Sequence, residues 1–115
     1  MENDIKDLQK RIIAFRDARD WAKFHQPKEL AISLAIEAAE LLEKFQWQKG
    51  GTKEYQDENR EDIGDELADV FIYALNLAHQ MGFDVKEIVE EKLKKSGLKY
   101  PVEKAKGTDK KYTEL

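Results

Sequence analysis

Cysteine is absent from this 115-residue chain, which excludes a disulfide framework, a thiolate nucleophile and a zinc-thiolate centre. Only two prolines and six glycines punctuate it, while 38% of its residues are charged and 41% hydrophobic, a balance that favours long amphipathic helices over a sheet. No uncharged apolar run approaches the ~20 residues of a membrane span, and the opening MENDIKDLQK lacks the apolar core of a signal peptide, so a soluble cytoplasmic protein is expected. Net charge is −4 and unevenly placed. Residues 92–115 hold eight lysines against three acids, a net of +5, which leaves −9 for residues 1–91. A basic nucleic-acid-binding face is therefore not expected on the body of the chain. There is no internal repeat, and the length suits one domain.

Apolar spacing predicts four long helices. Ile5, Leu8, Ile12 and Phe15 mark the first, over 4–19, with Asp4 as its cap. RDWAKFHQP (19–27) is a break dense in aromatics, ending in a proline suited to the first turn of a second helix over 27–48. GGTKEYQDEN reads as a loop with room for a short helical turn. Asn59 is placed to cap a third helix that runs to Met81 and stops at Gly82. Asp84 with Glu87 forms a capping box for a fourth, over 85–96, closed by Gly97. The fold class expected is all-α, a four-helix bundle over residues 1–98, followed by a basic, exposed C-terminal tail at 99–115.

Two of these helices break their own pattern. At ~100° per residue the second is apolar nearly all round, except for a strip holding Ser33, Glu37, Glu40 and Lys44. Glu37 lies roughly 20° from Leu30, at the lip of the core. On the third, Asp62, Glu66, Asp69 and Tyr73 run along the margin of a wide apolar arc, with Glu66 roughly 40° from Val70. Each helix thus presents two acids three residues apart, Glu37 with Glu40 and Glu66 with Asp69. Ionised carboxylates at such a margin lose hydration and need compensation from a basic partner, a proton or a divalent cation. Lys44 is the only base on the first strip, and residues 61–81 contain no Lys or Arg. Four carboxylates without a nearby histidine would make an all-oxygen site, suited to Mg²⁺ or Mn²⁺. A solvated acidic face is the other reading of such spacing, and periodicity alone leaves both open.

Glu37-x-x-Glu40, then Glu66-x-x-Asp69 after 25 intervening residues, resembles the ExxE…ExxD signature of the all-α MazG-like nucleotide pyrophosphohydrolases. Longer segments, RDWAKFHQP (19–27), LAIEAAELLEKFQW (34–47), DELADVFIYALNLA (65–78) and KYPVEKAKG…KYTEL (99–115), are similar to the dCTP pyrophosphatase branch across nearly the whole chain. The acidic motif is weakly specific by itself. WxxFH, FQW and KYTEL in order are strongly so.

The resemblance implies hydrolysis of a nucleoside triphosphate such as dCTP between its α and β phosphates, a house-cleaning reaction of the nucleotide pool. It implies that Glu37, Glu40, Glu66 and Asp69 hold Mg²⁺ and that one of the glutamates takes a proton from water. It implies that Trp21, Phe24, His25, Trp47 and Tyr73 shape a pocket for base and sugar, that Lys92 contacts phosphate, and that the chain assembles as a tetramer of paired dimers. Two positions depart from that branch: Ile12 stands where it has histidine, and Ser96 where a lysine is followed four residues on by asparagine. A dUTPase-like or broad modified-nucleotide pyrophosphatase keeps the same fold and changes the substrate. A non-enzymatic acidic helical interaction module remains the reading from another class. A di-iron bundle does not fit, because neither His25 nor His79 has an acid three residues before it.

Overall fold

A computed structural model describes residues 4–115. Among them the regular structure is entirely helical: α1 (Asp4–Ala18), α2 (Pro27–Glu43), α3 (Lys53–Glu58), α4 (Arg60–Gln80), α5 (Val85–Lys99) and α6 (Val102–Ala105), with 3₁₀ turns at Ala22–Phe24, Gln48–Gly51 and Tyr112–Glu114. The all-α expectation holds, but the described residues form six α-helices rather than four. None of the described helices is long and apolar enough to cross a membrane.

The two additional helices come from local features that apolar spacing does not register. Thr52 Oγ1 accepts the Tyr55 amide at 3.2 Å, Lys53 pairs with Asp57 at 2.6 Å, and Asn59 Nδ2 donates to the Tyr55 carbonyl at 2.9 Å. Asn59 therefore closes α3, and its side chain does not cap α4. In the lysine-rich segment, Pro101 opens α6, and the Tyr100 and Tyr112 rings meet edge to face at 6.0 Å, with Lys99 over the Tyr112 ring at 4.8 Å.

The long helices differ from expectation at two ends. α2 stops at Glu43 rather than 48 because its amides begin to bond three residues back, Lys44 to Leu41 and Phe45 to Leu42, and Trp47 turns extended. The chain then doubles back. Gly50 lies so close to Phe45 that a Cβ there would stand 2.5 Å from the Phe45 carbonyl oxygen. α5 runs through Gly97 to Lys99 and gives way only at Tyr100, whose successor Pro101 bars the helical region. Elsewhere the expected punctuation works: Gly82 ends α4 at φ +70°, and the Asp84 carboxylate accepts the Glu87 amide at 3.0 Å.

Two compact units divide the chain. The first, ending at Gly82, is built on α4, against which α2 and α1 both pack. Leu30 of α2 and Leu75 and Ala78 of α4 are its buried apolar residues, and Gln9 of α1 donates to the Leu75 carbonyl at 2.9 Å. The second, Phe83–Leu115, holds α5, α6 and the terminal turn.

Candidate active site

α2 and α4 cross so that their acidic margins face one another. Carboxylate oxygens of Glu37, Glu40 and Glu66 lie within 4.8 Å of each other. Asp69, one turn beyond Glu66, adds its charge to both Glu37 and Glu66. Glu37 Oε2 and Glu66 Oε2 are buried without a hydrogen-bond partner, and among the described residues no Lys or Arg forms an ion pair with any of the four acids. Burial, helped by a hydrogen bond with Glu40 and by the charges of Glu40, Asp69 and Glu66, pushes Glu37 up to about 7. Burial and the neighbouring carboxylates also raise Glu66, with Lys44 pulling weakly the other way. Glu37, Glu40 and Glu66, with the Asp69 charge acting on them and little basic compensation, form a strongly negative, oxygen-only cluster, a donor set of the kind that accepts a hard divalent cation.

Beside the cluster opens a pocket of about 450 Å³, lined by side chains of α1, α4 and the aromatic break between α1 and α2. Asp69, whose charge acts on Glu37 and Glu66, lines the pocket. Trp21, His25 and Tyr73 are on the pocket wall with Leu8, Phe15 and Ile72. Burial raises the Tyr73 hydroxyl above its ordinary pKa, and the charges of Glu37, Asp69 and Glu40 add to this. Ile12, the departure flagged on α1, lines the wall as well.

Three further expected residues are Phe24, Trp47 and Lys92. Phe24 is 63% and Trp47 74% exposed, and neither lines this pocket. Trp47 stands beyond the end of α2, in extended backbone. Lys92 is an exposed residue of α5, in the second unit.

Sequence reading missed the polar floor. Arg16 is 7% exposed and Asn76 2%, and both line the pocket. Arg16 donates to Asp17 at 3.0 Å and to Gln80 Oε1 at 2.8 Å; Gln80 Nε2 donates to the His25 carbonyl at 3.0 Å; and His25 Nδ1 pairs with Asn76 Nδ2 at 2.9 Å. This chain of bonds straps the aromatic break onto α4. Burial, and after it the Arg16 charge, lower the His25 pKa. The signal was present in the sequence: the margin of Asp62, Glu66, Asp69 and Tyr73 continues at the same alternating spacing of four and three through Asn76 and Gln80.

A family described as MazG-like matches residues 32–115. dCTP pyrophosphatase 1 of Rattus norvegicus is 35% identical over 117 residues, covering 99% of this chain and 69% of the rat protein. Its Homo sapiens counterpart is 34% identical over the same shares. The crystal structure of a pyrophosphatase from Archaeoglobus fulgidus superposes with a TM-score of 0.81 at 38% identity, covering 88% of this chain and 95% of that one. With the family match spanning most of the chain and those relatives aligned along nearly all of it, the chain belongs to the MazG-like family.

Proposed function

We propose that this chain is a nucleotide pyrophosphohydrolase that splits a deoxynucleoside triphosphate, dCTP foremost, into the monophosphate and pyrophosphate. The observation that carries the reading is the juxtaposition of two orphaned, buried carboxylate oxygens with a ring-lined pocket that shares Asp69 with them. The similarity to proteins named dCTP pyrophosphatase 1 supports the choice of substrate.

Glu37, Glu40, Glu66 and Asp69 are the residues to hold Mg²⁺, with Mn²⁺ the natural substitute. The chemistry such an ion supplies is neutralisation of triphosphate charge and acidification of the attacking water. Trp21 and Tyr73 offer flat faces against which a base stacks, at ~1–3 kcal/mol per ring. The pocket thereby fixes the nucleoside, and Asp69 at its edge sets where the phosphates begin. Water adds to the α-phosphorus while the bond to the bridging oxygen breaks, and pyrophosphate leaves. Glu37 and Glu40 are the two candidates to accept the water's proton. Phe24 and Trp47, exposed on the single chain, remain candidates for nucleotide contact. We also assign the chain to a tetramer of paired dimers, supported by the many large apolar side chains that one chain leaves exposed on α2 and α4.

Turnover across a panel of canonical and modified triphosphates, with pyrophosphate release as readout, tests the proposal. Mg²⁺-dependent release with dCTP is expected, and preference for dUTP or a damaged base would replace the substrate while keeping the reaction. Glu40→Ala and Glu66→Ala should each abolish turnover with helical content unchanged by circular dichroism. Retained activity in either variant overturns the mechanism. Absence of turnover, together with no rise in melting temperature on adding Mg²⁺ and a non-hydrolysable nucleotide, would leave an acidic interaction module instead.

A further inference from the structure

Asn76 stands one turn beyond Tyr73 on α4, 2% exposed, and lines the 450 Å³ pocket. One side of its amide is occupied, since Nδ2 lies 2.9 Å from His25 Nδ1. The other is not: Oδ1 is buried and has no hydrogen-bond partner. Buried carbonyl-type oxygens are nearly always paired, and one left bare on a pocket-lining side chain calls for a donor from a ligand. Rotating the amide would not relieve it while the histidine ring is neutral with its lone pair on Nδ1, because the amide must then offer N–H to that ring. Burial and the Arg16 charge favour the neutral ring, and the bond from Gln80 to the His25 carbonyl holds the ring's backbone in place. With the amide in this orientation, Oδ1 is the atom left to accept.

We propose that Asn76 is a specificity-determining residue, whose unpaired Oδ1 accepts a hydrogen bond from the exocyclic amino group of a pyrimidine seated in the pocket. Cytosine presents an N–H at that edge. Uracil presents a carbonyl oxygen at the same position, which sets lone pairs against the Asn76 oxygen and leaves both buried acceptors unsatisfied. The inference rests on the pocket being the base site, and it adds the group that chooses between two bases of equal size.

Calorimetric titration of the full chain with dCMP and dUMP tests it without requiring turnover. The wild-type chain should bind dCMP more tightly by about 10-fold or more. Asn76→Ala should bring the two affinities to within about twofold, chiefly by weakening dCMP. Asn76→Asp, one of whose oxygens accepts a hydrogen bond from His25 in its Nδ1–H tautomer while the other stays an acceptor, should keep the preference, and it provides a readout should the alanine variant fold poorly. An unchanged dCMP:dUMP ratio in Asn76→Ala, equal affinities in the wild type, or a reversed preference in Asn76→Asp overturns the assignment. If triphosphates are hydrolysed while the Asn76→Ala ratio does not move, only the role of Asn76 falls. If neither monophosphate binds and no triphosphate is turned over, the reading of the pocket falls and takes this inference with it.

Discussion

Glu37 and Glu66 each bury a carboxylate oxygen that no donor reaches, in a cluster where every neighbour of consequence except Lys44 is an acid. The result is a pH dependence with a definite sign. Glu37 rises from 4.5 to about 7 on folding, so the stability due to its protonated form is complete below pH 4.5 and is lost as pH climbs through about 7. In the presence of a chelator, the melting temperature should therefore fall across that interval, and calorimetry on Glu37→Gln should give a flatter profile. A metal-free profile that rises toward pH 7 through this group would contradict the cluster's geometry. Saturating Mg²⁺ should reverse the trend in the wild type, because the ion favours the ionised acids, and should do so less in Glu37→Gln. The acids themselves were legible from spacing and from the lack of lysine or arginine over 61–81. Asn76 continues the same polar margin, but spacing says nothing of which of its amide atoms will find a partner.

Helix ends obey contacts as well as composition. Gly97 looked like a stop and is not one, since its backbone keeps helical geometry and Pro101 decides the end instead. Gly50 looked like ordinary loop glycine but permits a close backbone approach to Phe45. Gly50→Ala forces a Cβ against a backbone carbonyl, so it should cost ~1–3 kcal/mol by chemical denaturation. A neutral outcome would mean that the turn after α2 is free to shift. Gln80 makes a second case, bridging α1 and the aromatic break through Arg16 and the His25 carbonyl. Gln80→Ala should lose ~1–3 kcal/mol of stability from the stranded partners, and should raise the nucleotide KM more than it lowers kcat. A fall in kcat with KM unchanged would assign Gln80 to the chemical step rather than to holding the wall.

At the scale of the molecule, the single chain buries little apolar surface. Only Leu30, Leu75 and Ala78 are buried hydrophobics among the described residues, while Ile36 on α2 and Phe71 on α4 are 52% and 58% exposed. Charged substitution at such positions is nearly neutral in a monomer but disruptive within an interface. Phe71→Asp should therefore lower the mass seen by light scattering and the melting temperature together, and an unchanged mass would remove this face from the proposed assembly. The approach of α2 to α4, on which the site depends, was expected only in outline. Both helices were recognisable from their broad apolar arcs, yet an arc does not name the helix that will cover it.

Periodicity, composition and capping residues determined by themselves that the chain is helical, where the long helices lie to within a few residues, and which two of them carry paired acids. Those properties are local, set by the 3.6-residue turn and by side chains within four positions of one another. Tertiary structure alone decided that Glu37, Glu40 and Glu66 converge, that a pocket opens at Asp69, and that His25 engages one side of Asn76 and leaves the other bare. Each of these joins groups far apart along the chain, and their meeting is fixed by how packed surfaces exclude water rather than by any spacing in the sequence.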